Sequence, residues 1–278
     1  MLQIGSHLVG NPASPFLVAE IACSHGGNPW ECSKLIEAAS QIGADAIQLQ
    51  IFRAKLQVPP SHNLRPILEN LEMDRATWAN LFSQAKETGL VVSAFVYDEE
   101  SLAWVTDWDP DMYKLNSSDL NYEPMLEGVA KTKKPISLGT GASTIEEIEY
   151  GLKIVSVQNE NIILMHGVQD FPTDIKDSRL NRISLLKEMG NRPIGFADHT
   201  EGNNQLAKYI DLVAMGMGAS VLEKHLTLDR QAKKTDYQAA LDPEAWSKYA
   251  RIIRAAAPAL SGDSPEILTK SDERYRKF

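Results

Sequence analysis

The sequence predicts an α/β fold, a single (β/α)8 TIM barrel, on three observations. Eight short β-branched or apolar runs recur along the chain, each is followed by a longer amphipathic stretch, and 278 residues is close to the usual length for that fold. The opening segment 2–9 alternates apolar and polar residues and then meets Gly10-Asn11-Pro12. That pattern predicts a short N-terminal β-hairpin over 1–15 that caps the barrel floor. Barrel strands are expected at 16–21, 46–51, 90–95, 112–115, 135–138, 161–165, 193–196 and 221–225. Runs without polar alternation suit a parallel sheet buried on both faces. Helices are expected at 29–42, 75–88, 99–107, 123–131, 144–157, 178–189, 203–215 and 243–257. Ser143-Thr144-Ile145-Glu146-Glu147 sets a hydroxyl cap before an acidic first turn, and Asp242-Pro243 sets a cap residue before a proline at the first helical position. The catalytic barrel therefore spans 16–257. Periodicity is lost from 258, so 258–278 reads as a linker-like tail with no second domain.

Composition removes several functions. A net charge of −9, with no clustered block of Lys and Arg, argues against a nucleic-acid surface, because neutralising phosphates needs such a cluster. The longest apolar stretches, such as 161–165 and 211–217, are too short to span a bilayer, and the N-terminus lacks a charged-then-apolar signal pattern. A soluble cytoplasmic protein is expected. The two cysteines, Cys23 and Cys32, form no metal-type CxxC and read as packing residues in a reducing compartment.

Active sites of such barrels lie at the C-terminal strand ends, so polar residues closing an apolar run carry the information. The first barrel strand ends in Glu20, with Ser24-His25-Gly26-Gly27 following, and the second carries Gln48 and Gln50, then Arg53 and Lys55. The fourth presents Lys114, Asn116, Ser117 and Asp119, and the sixth ends at His166 before Gln169. The seventh runs into Asp198-His199-Thr200, and the eighth holds Glu223-Lys224-His225. Two imidazoles from adjacent strand ends can share one cation, against the plainer alternative of core histidines satisfied by hydrogen bonds. Glu223 and His225 stand two apart on a strand and so share a face. Lys114 suits an anion binder or a Schiff-base lysine, or a side chain snorkelling from the wall. Gly139-Thr140-Gly141 resembles a phosphate cradle, although such turns are common.

Several segments together resemble the barrel domain of the sialic acid (N-acetylneuraminate) synthase family. They are Val18-Ala19-Glu20-Ile21, Ile42-Gly43-Ala44-Asp45-Ala46, Tyr113-Lys114-Leu115-Asn116-Ser117, Gly141 through Ile148, Ala197-Asp198-His199-Thr200 and Gly218 through Arg230. The resemblance covers 16–257. It implies condensation of phosphoenolpyruvate with an open-chain aldose to a 3-deoxy-2-keto sugar acid. It also implies a divalent metal on His199 and His225, manganese first, with magnesium, cobalt or zinc as alternatives. Glu20, Glu223 and Asp236 would lie close to that ion as catalytic groups, and Lys114 and Ser117 would hold phosphoenolpyruvate.

The departures from the family pattern cluster on the phosphate side. Gln48 stands for a second lysine, Ala94 for a threonine, Gly139 and Ala197 for serines, Phe171 for a tyrosine, Gln169 for an asparagine and Asp119 for a glutamate. A lost phosphate donor removes a hydrogen bond worth about 1–3 kcal/mol. The site would then use a donor other than phosphoenolpyruvate, or bind its phosphate through Arg53, Lys55 or a partner chain. The family's C-terminal antifreeze-like domain has no counterpart before Phe278, and a homodimer stays open as the assembly. The leading expectation is a sialic-acid-synthase-like enzyme. The alternatives are a metal-dependent aldolase or lyase acting on a non-phosphorylated 2-keto acid, and a non-catalytic sugar-binding relative.

Overall fold

The computed structural model describes residues 1–261 and 268–278. Two antiparallel strands open the chain, β1 (Leu2–Ile4) and β2 (His7–Val9). Eight parallel strands follow: β3 (Phe16–Glu20), β4 (Ala46–Ile51), β5 (Val91–Val96), β6 (Met112–Leu115), β7 (Ile136–Gly139), β8 (Ile162–Gly167), β9 (Ile194–Asp198) and β10 (Ala219–His225). They run in sequence order and close where β10 pairs with β3, which makes the expected (β/α)8 barrel.

Its α-helices are α1 (Pro29–Ala39), α2 (Ala54–Gln57), α3 (Arg65–Leu71), α4 (Arg75–Glu87), α5 (Glu99–Trp108), α6 (Glu123–Lys131), α7 (Ile145–Ser156), α8 (Arg182–Glu188), α9 (Ile210–Gly216) and α10 (Pro243–Ala256). A last helix, α11 (Lys270–Tyr275), lies in the tail. The caps read from sequence are present. Thr144 and Glu147 form a reciprocal capping box on α7, and Asp242 accepts from Ala245 N ahead of Pro243 on α10.

The alternation of side chains along each strand organises the interior. Residues facing the helices form one large apolar cluster that includes Leu17, Ala19, Ile47, Leu49, Val92, Ala94, Leu115, Leu138, Leu164, Phe196 and Leu222. The inward set is smaller: Phe16, Val18, Ala46, Val91, Met112, Ile163, Met165, Ala197 and Val221. Leu2, Ile4 and Val9 of the hairpin pack into this inner set at the strand N-termini, so the hairpin fills the floor and leaves the opposite end for polar residues.

The structure departs from expectation in four places. Two helices, α2 and α3, occupy the loop after β4, where no element was expected; the loop is anchored by Leu71, which packs on Cys23 and Phe52. The helix expected at 203–215 is a 3-10 turn at Gln205–Lys208 followed by α9, because Tyr209 leaves helical backbone at φ −127°. The helix expected at 178–189 begins only at Arg182. The linker-like tail ends in α11, while its 262–267 portion lies outside the described residues. Cys23 and Cys32 are buried and unpaired. Among the described residues no helix is long and apolar enough to cross a membrane.

Candidate active site

Strand parity brings the polar residues together above the apolar floor. In β3, β4 and β10 the inward positions that follow Val18, Ala46 and Val221 are Glu20, Gln48 and Glu223, with Gln50 and His225 one step higher. The ladder sets Glu20 level with His225 on one side and with Gln48 on the other. On β6 the same step past Met112 gives Lys114, and the step past Ala197, just beyond the end of β9, gives His199.

Of these groups Glu20, Gln50, Lys114, His199 and His225 line a cavity of about 220 Å³ at the mouth, with Phe95, Tyr97, Asn116, Gly139, Gly141, Gly167, Gln169, Phe171 and Asp236 in the remaining wall, while Gln48 and Glu223 lie outside that wall. The Lys114 ammonium donates to Glu223 Oε1 and, at 3.4 Å, to Glu20 Oε2, while lying 4.7 Å from the centre of the Phe95 ring. Gln50 donates to Glu20 Oε1 at 2.5 Å. Below them Gln48 donates to Glu223 Oε2 at 3.2 Å and accepts from Ser93 Oγ at 3.0 Å. The two imidazoles, 5.1 Å apart between ring centres, meet edge to face, and Phe171 covers both, 4.3 Å from His199 and 6.1 Å from His225.

Burial and charge divide the carboxylates into two states. Burial opposes ionisation of Glu20, but the Lys114 ammonium, His225 and hydrogen bonds from Glu223 and Gln50 outweigh it and hold Glu20 well below the usual carboxylate range. Glu223 is pushed up to about 8 by burial against the charge of Glu20, which Lys114 only partly offsets. The pair is thus polarised, Glu20 toward its anion and Glu223 toward its protonated form. Burial, reinforced by His225, drives His199 down to about 3.

Two loops complete the mouth. Asp236 sits in left-handed backbone at φ +61°, a conformation costly for a residue with a Cβ. Its carboxylate accepts from Cys23 N at 3.2 Å, and Ser24 Oγ donates to Thr235 O at 3.4 Å, so the loops after β3 and β10 hold one another.

The other expected site residues divide. Gln169 and Asn116 lie between the main cavity and a second one whose wall includes Ser117 and Ser143. Gln48 lies beneath the cavity, not in its wall. Asp119 does not face it either: its carboxylate accepts from Asn116 N at 3.0 Å in a capping box, and burial lifts it to about 6. Arg53, expected as a phosphate binder, is turned away. Its guanidinium donates to Glu72 at 2.5 Å and to Glu100, and stacks 4.6 Å from the Trp104 ring centre. Lys55 pairs with Glu100 at 2.8 Å. Ala94 faces the helix layer, so a hydroxyl there would not reach this cavity. Phe95 and Tyr97 also line the cavity without closing an apolar run with a polar group, although the inward parity of β5, continued from Val91 through Ser93, leads to both.

The donors at the mouth fit a divalent ion. His199 Nδ1 pairs at 2.7 Å with Val168 O, a carbonyl that can only accept, so the proton sits on Nδ1 and the lone pair on Nε2. His225 Nδ1 is buried without a hydrogen-bond partner. Among the described residues no three His, Cys, Asp or Glu side chains form a ligand group. A metal centre here would draw on this imidazole pair, with the other positions open to substrate and water.

Comparison with known proteins gives a consistent picture. The NeuB family model matches residues 35–264. An uncharacterized protein of Methanocaldococcus jannaschii is 30% identical over 98% of this chain and 80% of its own length. The N,N'-diacetyllegionaminic acid synthase of Campylobacter jejuni is 28% identical over 93% of this chain and 80% of its own. The crystal structure of an N-acetylneuraminic acid (sialic acid) synthetase from Leptospira borgpetersenii superposes with a TM-score of 0.92 at 23% identity, covering 99% of this chain and 95% of that one, a likeness of fold.

Proposed function

The chain belongs to the NeuB family, and on that premise we propose that it condenses phosphoenolpyruvate with an aldose to give a 3-deoxy-2-keto sugar acid, using a divalent metal. The observation that carries this reading is the meeting of His199, His225, Glu20 and Lys114 around one small cavity. The names of relatives such as the Campylobacter jejuni synthase agree with it.

His199 and His225 would hold the ion, manganese first, which when bound supplies Lewis-acid polarisation of the acceptor aldehyde. The chain's own groups do the rest. Lys114 holds the anionic donor and keeps Glu20 ionised. Glu20 takes a proton from the water that adds to C2 of the donor, and Glu223, biased by burial toward its protonated form and joined to the cavity through Lys114, supplies the proton that the acceptor oxygen needs. Phe171 shields the imidazole pair from bulk water. Phosphate release from phosphoenolpyruvate with a panel of N-acylated aldoses, with manganese and after chelation, tests the proposal. Release should require donor, acceptor and metal together. Absence of release with every acceptor would overturn it.

One observation favours a second reading. Lys114 is the only Lys or Arg among the described residues lining the cavity, and two carboxylates already engage it. Gln48 and Ala197 add no cation or hydroxyl. A donor without phosphate, as in a metal-dependent aldolase or lyase acting on a 2-keto acid, places less demand on that wall. Metal-dependent pyruvate release from 2-keto sugar acids, without phosphate release from phosphoenolpyruvate, would select it.

A further inference from the structure

The face of β9 and β10 turned away from the cavity carries a buried cluster of charge. Elsewhere the outward positions of the barrel strands include apolar side chains such as Leu17, Ile47, Val92, Leu138 and Leu164. Here Asp198 and Lys224 stand opposite each other in the ladder, 2% and 1% exposed, and their side chains pair directly. The ammonium also reaches Asp211 Oδ2 of α9 at 2.9 Å and Ala207 O at 2.6 Å, and lies 4.9 Å from the centre of the Tyr249 ring. Asp198 Oδ1 accepts from Thr200 N at 3.0 Å and Thr200 Oγ1 at 2.6 Å. Asp211 Oδ1 accepts from Tyr249 OH at 3.2 Å, and Trp246 Nε1 donates to Lys224 O at 3.4 Å.

Stability alone does not account for such a cluster. Well-packed apolar side chains in place of a buried ion group are often neutral or stabilising, because desolvating charges offsets their attraction. The location is informative. Asp198 directly precedes His199 and Lys224 directly precedes His225, so each outward charge is the sequence neighbour of an inward imidazole. His199 has its own support at Val168 O, whereas His225 Nδ1 has no partner. Beyond its ring contacts with His199 and Phe171 and the approach of its Nε2 to Glu20 Oε2 at 3.7 Å, the placement of His225 rests on how its backbone is held. We propose that Lys224, clamped by Asp198 and Asp211, is a positioning residue that fixes β10 against β9 and so sets the relative placement of His199 and His225 for metal binding.

The inference rests on the metal reading above, and the test separates the two. Manganese binding to the full chain is measured by calorimetry and by the loss of the free-ion electron paramagnetic resonance signal, beside thermal unfolding of the metal-free protein. The variants are the triple Lys224→Met/Asp198→Asn/Asp211→Asn, which removes every ionisable member of the cluster together, and the single Asp211→Asn. Wild-type chain should bind manganese. The triple variant should fold with a similar metal-free melting temperature yet bind manganese about 10- to 100-fold more weakly, the usual scale for groups that orient ligands. Asp211→Asn should weaken binding by less. A folded triple variant with wild-type affinity overturns the inference; should it not fold, wild-type affinity in Asp211→Asn does so. Failure of the wild-type chain to bind manganese overturns the metal reading itself.

Discussion

Gln48 Nε2 donates to Glu223 Oε2 over 3.2 Å, where the resemblance places a second lysine, so a neutral amide supports the carboxyl beneath the cavity. Gln48→Lys would set an ammonium against Glu223 and release Lys114 toward the cavity. Affinity for inorganic phosphate is expected to rise about 10-fold, within the scale of a charge-assisted hydrogen bond. Calorimetric titration of wild-type and variant checks this. Unchanged affinity would mean that phosphate is not held near this wall.

Lys114 is the cation that lets the buried carboxyls of Glu20 and Glu223 lie side by side. Lys114→Met leaves two buried carboxyls facing each other and should cost about 3–5 kcal/mol, the usual penalty for removing one partner of a buried ion pair. Adding Glu20→Gln should restore about half or more of that loss, since it removes the carboxylate that Lys114 keeps ionised. Urea unfolding of the three proteins at neutral pH measures both effects. A Lys114→Met chain as stable as wild type would contradict the pairing.

Much of this was legible in the sequence, for reasons that particular residues show. Continuous apolar runs marked the barrel strands because both faces of a parallel sheet are covered. His199 and His225 were found because polar residues at strand ends point to the mouth. Parity also exposes the misreadings. Ala94 looks like a lost phosphate contact only until its outward direction is known, and Asp198 and Lys224, between inward residues, belong to the helix layer. Arg53 was misplaced because its partners Glu72 and Glu100 come from later segments, and α2 and α3 carry no long periodic stretch to announce them. Spacing along one strand is a local signal, whereas the partner of a loop cation is a tertiary one.

A pH effect is expected at His25. Its Nδ1 accepts from Gly27 N at 2.9 Å and its ring meets Trp78 edge-on at 5.7 Å, with burial lowering the imidazole from 6.5 to about 4. The unfolded chain therefore binds a proton that the folded chain resists. Stability from this group is fully present above about pH 6.5 and is lost as pH falls toward 4, by about 3 kcal/mol. Asn can accept from Gly27 N without titrating in this range, so His25→Asn should flatten this part of the profile. Unfolding free energies of both proteins at pH 7 and 4.5 test it, and an equal drop in the two would sink the assignment.

Gly139 tests whether the phosphate side can be rebuilt one residue at a time. A Cβ on Gly139 would lie 2.9 Å from Ser117 N and 3.2 Å from Leu115 O, both backbone atoms. The segment after β6 thus approaches β7 more closely than a side chain at 139 allows. Gly139→Ser, although it supplies the hydroxyl implied by the family resemblance, should destabilise the protein by about 1–3 kcal/mol through overpacking. It should also leave phosphate affinity no better than wild type, because the displaced backbone carries Ser117 with it. Thermal unfolding and phosphate titration of the variant decide the matter: a stable protein with tighter phosphate binding would show that the glycine is incidental and that the wall accepts the lost donor without rearrangement.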